Sequence, residues 1–382
     1  MNPLNPFFAL IIYSIAFLTG YLIKTNIKPI LLNGRYECID GMRGFLALGV
    51  FIHHSSIWYQ YIHTGYWGAP ASNLYNQFGQ TSVSLFFMIT SFLFISKLLN
   101  SDKKDFNWRN FFISRIFRLV PMYLFSIWLI FISVMFISQW KLNVELAEFF
   151  LSICHWLLFT VYNTPNINNS GFTSYINAGV VQTLPYEWLF YFSLPLISLF
   201  ILKNKPKFVY LFLSIIFILT FYKFHGFFEY FIYPFIGGAI APLLLKFTSF
   251  HKKIKDIFAS IIILTCLCLI GQFSEANNII CTILLTIVFT FIAMGATFFG
   301  LLKNSTFKFL GEISYSTYLL HGIALFAVFY FGFGFEKIRL LTPFEYYMLV
   351  FSITPIVVVV SFLGFKYIEK PYMDKAKRIM QK

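Results

Sequence analysis

The segment "IDGMRGFLALGVFIHH", residues 39–54, sets one acid, one guanidinium and two imidazoles into a run of hydrocarbon side chains. On a helix, Arg43 and His54 lie about three turns apart, within roughly 20° of one face and separated by about 16 Å of rise. Ala47 and Val50 share that stripe, while His53 points roughly 80° away. Asp40, three residues before Arg43, is placed to cap the helix and hold the guanidinium. Imidazole changes charge near neutral pH, so His54 is suited to act as general base or nucleophile. The alternative is a buried histidine that only hydrogen-bonds between helices.

Three further stretches carry chemistry. In "FFISRIFRLVPMY", Arg115 and Arg118 are neighbours on a helix surface and suit phosphate oxygens through forked hydrogen bonds, although cations flanking a membrane span look the same. In "QTLPYEWLFYFSLPL", Pro185 fits a first helical turn and Glu187 follows within it, where the helix dipole favours a carboxylate. In "GEISYSTYLLHGIALF", Ser314, Tyr318 and His321 fall at i, i+4 and i+7, on one face. His321 lies about 13 Å beyond Glu312, approaching the depth of His54; a structural Tyr–His hydrogen bond is the alternative.

These residues need a scaffold, and composition specifies its class. Hydrophobic residues make up 58% of the 382-residue chain and charged residues 12%, with a mean hydropathy of +0.73. A soluble surface of this size needs far more charge. The pattern predicts an all-α, polytopic transmembrane helical bundle with no soluble domain. Spans are expected near 7–23, 44–62, 82–99, 119–138, 186–202, 208–222, 228–246, 257–272, 279–301, 313–332 and 345–366. The stretch 148–162, with Glu148 and His155, reads as interfacial.

Net charge is +14, which by itself would suit nucleic acid, but its distribution excludes that reading. Of the 29 Lys and Arg, all fall in alternate connections except Lys141, Lys223, Lys337 and Arg339. Basic loops face the cytosol, so the N-terminus is expected outside and the C-terminus inside. No cleavable signal peptide is expected, because no basic leader or small-residue cleavage site is evident. Of the five cysteines only Cys154 faces outward, so no intrachain disulfide and no metal site are expected. The long connection 139–185 contains "NTPNINNSGFTSYINAG", which favours turns over regular structure and is either functional or a flexible connection.

The opening segment resembles the first motif of the acyltransferase-3 family of integral-membrane acyltransferases, in which Asp-Gly-x-Arg precedes a histidine by eleven residues; that spacing selects His54 over His53. The arginine pair, the glutamate of "PYEWLFYF", the Ser-Tyr-x-x-Tyr-Leu-x-His-like stretch and "YIEKPYMDK" follow in the family's order, so the resemblance spans residues 36–372. The last motif reads as a proline stop with interfacial charges. One departure is "FFMITSFLF", where Thr90-Ser91 replaces the family's Ser-Gly. The resemblance implies a ten-helix core (36–372, including the extracytoplasmic loop 139–185), an extra N-terminal transmembrane helix and linker (1–35) and a cytosolic tail (373–382).

It further implies transfer of an acyl group, acetyl in the simplest case, from cytosolic acyl-CoA to a hydroxyl of a cell-envelope glycan such as lipopolysaccharide O-antigen. An exopolysaccharide, a small sugar or a peptidoglycan precursor are further acceptors of the same class. His54 and Glu187 would be catalytic, with Glu187 on the acceptor side. Arg43, Arg115 and Arg118 would receive acyl-CoA, and Asp40, Ser314, Tyr318 and His321 would support. Acetyl-CoA enters as donor substrate, with no tightly bound cofactor, and the other partners are membrane lipid and the glycan. The location implied is the bacterial inner membrane. A proton-coupled transporter is the alternative from another class, since buried His, Glu and Arg also build ion pathways; the absence of internal repeat symmetry argues against it.

Overall fold

A computed structural model describes residues 2–26, 36–101, 106–225, 229–247 and 255–381. Of the cations in the charge pattern, Lys28, Arg35, Lys103, Lys104, Lys252, Lys253 and Lys382 lie outside the described residues, as do residues 27–35 of the expected linker. Among the described residues the chain is helical, without strands. A lipid-facing chain must satisfy its backbone N–H and C=O groups within each segment, and helices do so.

In chain order the helices are α1 (Pro6–Thr25), α2 (Glu37–Thr64), α3 (Asn73–Leu99), α4 (Trp108–Ile137), α5 (Leu146–Leu157), α6 (Thr173–Ile176), α7 (Leu184–Ile201), α8 (Phe208–His225), α9 (Glu229–Phe247), α10 (Asp256–Ile270), α11 (Ile279–Ala293), α12 (Ser305–Glu312), α13 (Ser314–Phe326), α14 (Phe335–Arg339), α15 (Pro343–Gly364) and α16 (Lys370–Gln381). Every expected span overlaps one of them. Among the described residues, seven helical stretches are long and apolar enough to cross a membrane, those containing α1, α3, α4, α7, α8, α13 and α15. Helices α10 and α11 have 15 residues each, about 22 Å, less than a hydrocarbon core of roughly 30 Å.

Several boundaries differ from expectation, for identifiable reasons. Helix α3 begins at Asn73 rather than near 82, because its polar first turns are satisfied: the Asn73, Asn76 and Gln77 amides donate to the carbonyls of Gln272, Ser274 and Phe273 at 2.9, 3.2 and 2.9 Å. Helix α11 stops at Ala293 rather than near 301. There Gly295, Phe298, Phe299 and Gly300 take positive φ, and Asp256 accepts from both N and Oγ1 of Thr297 at 2.6 Å. The expected proline stop at Pro371 is corrected: α15 passes through a π-helical segment, Phe365–Glu369, directly into α16. The wider π turn removes the clash between the proline ring and the carbonyl four residues earlier.

The chain divides into two compact units, Met1–Phe92 with Tyr233–Phe362, and Leu93–Ile232 with Leu363–Lys382. The first is built on the crossing of α2 and α12. A Cβ added to Gly41 or Gly311 would collide with the carbonyl oxygen of Leu302 or Asp40, and one on Gly44 would sit 2.6 Å from the Phe307 carbonyl oxygen. Small residues let the two backbones touch. Beside them the Phe45 and Phe307 rings stack at 3.8 Å. Helix α1 joins this unit through the Tyr13 hydroxyl, which donates to the Phe45 carbonyl at 3.2 Å. Gly311→Ala is expected to cost about 3 kcal/mol, the upper part of the range for overpacking, because backbone rather than a side chain must yield. A detergent-solubilised variant that melts at the wild-type temperature would contradict this contact.

In the second unit the 139–183 segment is closed by side-chain hydrogen bonds. The Asn168 amide donates to the Lys141 carbonyl at 2.8 Å and accepts from the Asn143 N–H at 2.7 Å. The Trp156 indole donates to the Pro165 carbonyl at 2.8 Å, and the Tyr123 hydroxyl of α4 donates to the Trp156 carbonyl at 2.5 Å. The turn-forming asparagines therefore close the loop on itself and on α4. Helix α5 is short and two-sided: Phe149 and Trp156 are buried, while Leu146, Phe150 and Leu151 are exposed.

Candidate active site

In the first unit, α2 carries Asp40, Arg43, His53 and His54, and α13 carries Ser314, Tyr318 and His321. The expected capping role of Asp40 is corrected. The helix starts at Glu37, its cap position is Tyr36 without a side-chain bond, and Asp40 lies inside the first turn. That extra turn carries Cys38 and Ile39, both buried in the apolar core. Arg43 sits half-buried on the same face as His54.

The central contact joins residues 267 positions apart: His54 Nδ1 lies 2.9 Å from His321 Nε2. The two rings are nearly parallel, with centroids 5.1 Å apart. His321 Nδ1 in turn lies 2.9 Å from the Thr317 carbonyl. Phe51 and Tyr318 flank the His321 ring at 6.4 and 6.3 Å, and Phe86 closes on Tyr318 at 6.1 Å. His321 is fully buried, whereas His54 keeps accessible surface. His53 is engaged elsewhere. Its Nδ1 donates to the Tyr75 carbonyl at 2.8 Å, and its ring fills the space that a Cβ on Gly79 would need. Ser314 is buried on the expected face of α13, but its hydroxyl has no hydrogen-bond partner among the described residues and no contact joins it to the histidines.

The serine that departs from the family's pattern packs in the same unit. Ser91 is fully buried and donates from Oγ to the Phe235 carbonyl at 2.6 Å. The serine hydroxyl thus bonds α3 to α9, and the two backbones still approach closely, because a Cβ on Gly238 would collide with the Met88 carbonyl oxygen.

In the second unit the two arginines of α4 part company. Arg118 forms an ion pair with Glu369 at 3.5 Å, the carboxylate being fully buried. Arg115 lies over the Phe94 ring at 4.9 Å and donates to Ser114 Oγ at 2.8 Å. Tyr191, one turn after Glu187 on α7, links two predicted residues: its hydroxyl donates to the Glu187 carboxylate, and it lies within electrostatic reach of the Arg115 guanidinium. Glu187 and Arg115, expected on acceptor and donor sides respectively, therefore belong to one cluster. Arg115 Nε and Trp188 Nε1 are buried there without hydrogen-bond partners among the described residues. Tyr191 was not among the expected site residues. Its i+4 spacing from Glu187 was the available signal, but an apolar tyrosine-rich helix offers many such pairs.

The geometry supplies an imidazole pair with one accessible member, and separately a guanidinium–phenol–carboxylate cluster. No curated protein and no solved structure matches the chain. A family model for the acyltransferase domain Acyl_transf_3 matches residues 36–365. Together with its apolar helices, that match over most of its length places the chain in the acyltransferase-3 family, as an integral-membrane acyltransferase.

Proposed function

We propose that this acyltransferase moves an acetyl group from cytosolic acetyl-CoA to a hydroxyl of a cell-envelope glycan, lipopolysaccharide O-antigen being the representative acceptor. The observation that carries the reading is the His54–His321 contact, an imidazole pair joining α2 to α13. Ionisable groups at such depth are costly and mark function or a specific partner. His54 accepts the proton of the glycan hydroxyl as general base, and the hydroxyl oxygen attacks the thioester carbonyl carbon directly. Arg43, Arg115 and Arg118 bind the phosphates of acyl-CoA. Glu187, held by Tyr191, orients the acceptor, and Asp40, Ser314, Tyr318 and His321 support. Acetyl-CoA is a substrate rather than a resident cofactor.

The basic connections put the C-terminus in the cytosol and the N-terminus outside, in a bacterial inner membrane. Donor and acceptor then arrive from opposite compartments. Envelope glycans from cells with and without the protein, compared by NMR, are expected to differ by base-labile acetyl ester signals. Purified protein in liposomes should transfer label from radioactive acetyl-CoA to the deacetylated glycan. Identical ester signals in both cell types, with no transfer in liposomes, would reject the assignment.

A further inference from the structure

The chemistry of the histidine contact depends on which ring nitrogens carry hydrogen, and a backbone carbonyl decides it. The Thr317 carbonyl, 2.9 Å from His321 Nδ1, can only accept, so that nitrogen carries the hydrogen. In a neutral imidazole the other nitrogen is then a bare acceptor. Bare His321 Nε2 faces His54 Nδ1 at 2.9 Å, so His54 must donate there. The hydrogen of His54 is thereby committed, and its Nε2 is left with the lone pair. Burial points the same way: His321 is sealed from any substrate, while His54 keeps accessible surface.

We infer that His321 is a positioning residue that locks His54 in the Nδ1–H tautomer, so that Nε2 of His54 is the single basic atom offered to the acceptor hydroxyl. Its catalytic meaning rests on the proposed acyl transfer; the tautomer assignment itself does not. In the reaction, the hydroxyl proton passes to His54 Nε2 as the acceptor oxygen bonds to the thioester carbonyl carbon. The resulting imidazolium strengthens its Nδ1–H bond to His321 by charge assistance. The carbon–sulfur bond then breaks, the thiolate takes the proton back from Nε2, and ester, free CoA thiol and neutral His54 remain. In soluble enzymes a carboxylate commonly holds the imidazole. Between apolar helices an isolated carboxylate is expensive to bury, and a second neutral imidazole offers the same acceptor without a charge.

The test uses the full-length protein in lipid. Selective 15N-histidine NMR of the wild type should show His54 with hydrogen on Nδ1 and none on Nε2. His321→Leu removes the acceptor and should lower kcat about 10²-fold with KM for acetyl-CoA within about twofold. His321→Gln retains an acceptor oxygen at that reach and should recover at least about tenfold over the leucine variant. Hydrogen on Nε2 of His54 in the wild-type spectrum would overturn the inference, and so would a leucine variant with wild-type kcat or a glutamine variant no better than leucine. The wild-type spectrum needs no variant to fold. Should the wild-type protein in liposomes transfer no acetyl group from acetyl-CoA while its spectrum shows the Nδ1–H tautomer, the acyl-transfer reading fails and the hydrogen-bond assignment stands.

Discussion

His54→Ala is expected to lower kcat for acyl transfer about 10²–10⁴-fold, the usual share of a positioned general base. That is roughly 3–5.5 kcal/mol of barrier. The effect on folding is smaller. The side chain makes one hydrogen bond to His321, and stranding the buried partner nitrogen costs about 1–3 kcal/mol. The rate should therefore collapse in protein that still purifies and melts cooperatively. His53→Ala should behave in the opposite sense, because His53 holds the Tyr75 carbonyl and fills the space over Gly79. Its loss lowers the melting temperature and leaves turnover per folded molecule largely intact. A His54 variant within about threefold of wild-type kcat, or a His53 variant that loses more turnover, would remove His54 from the chemistry.

Glu369→Ala should be the most damaging single change for stability. The carboxylate is fully buried and the Arg118 side chain mostly so, 3.5 Å apart. Removing one partner leaves a charge in a low-dielectric setting, at a cost of about 3–5 kcal/mol. The double replacement Arg118→Met with Glu369→Leu removes both charges, and apolar pairs of similar volume are often as stable as the ion pair they replace. Its melting temperature should return most of the way to wild type. The same double variant separates the structural role of Arg118 from its proposed binding role. If the guanidinium also receives donor phosphates, KM for acetyl-CoA rises although stability is restored. A Glu369→Ala protein that melts with the wild type would show the pair to be dispensable.

Residue order reveals whatever a single helix decides. Arg43 and His54 share a face because the rise and rotation per residue are local properties of the backbone. The same holds for Ser314, Tyr318 and His321. Long apolar runs announce the spans, since hydrocarbon side chains and internally bonded backbone are jointly required in lipid. The order and spacing of the motifs point to the family without any coordinate.

Only the tertiary structure could decide which faces meet. The His54–His321 bond joins positions 267 apart, and nothing in helical periodicity specifies that pairing. It depends on how α2 and α13 pack, and neighbouring α2 and α12 approach closely because glycines remove the side chains between their backbones. Tyr191 drawing Glu187 and Arg115 together, Glu369 engaging Arg118, and loop carbonyls satisfying the polar start of α3 are of the same kind. Each pairs a buried polar group with a partner beyond its own turn of helix, because a polar group inside a membrane protein takes its stability from whichever partner packing brings within reach. Spacing along one helix is set by bonds between near neighbours, whereas contact between helices is set by shape and by the need to satisfy every buried donor and acceptor.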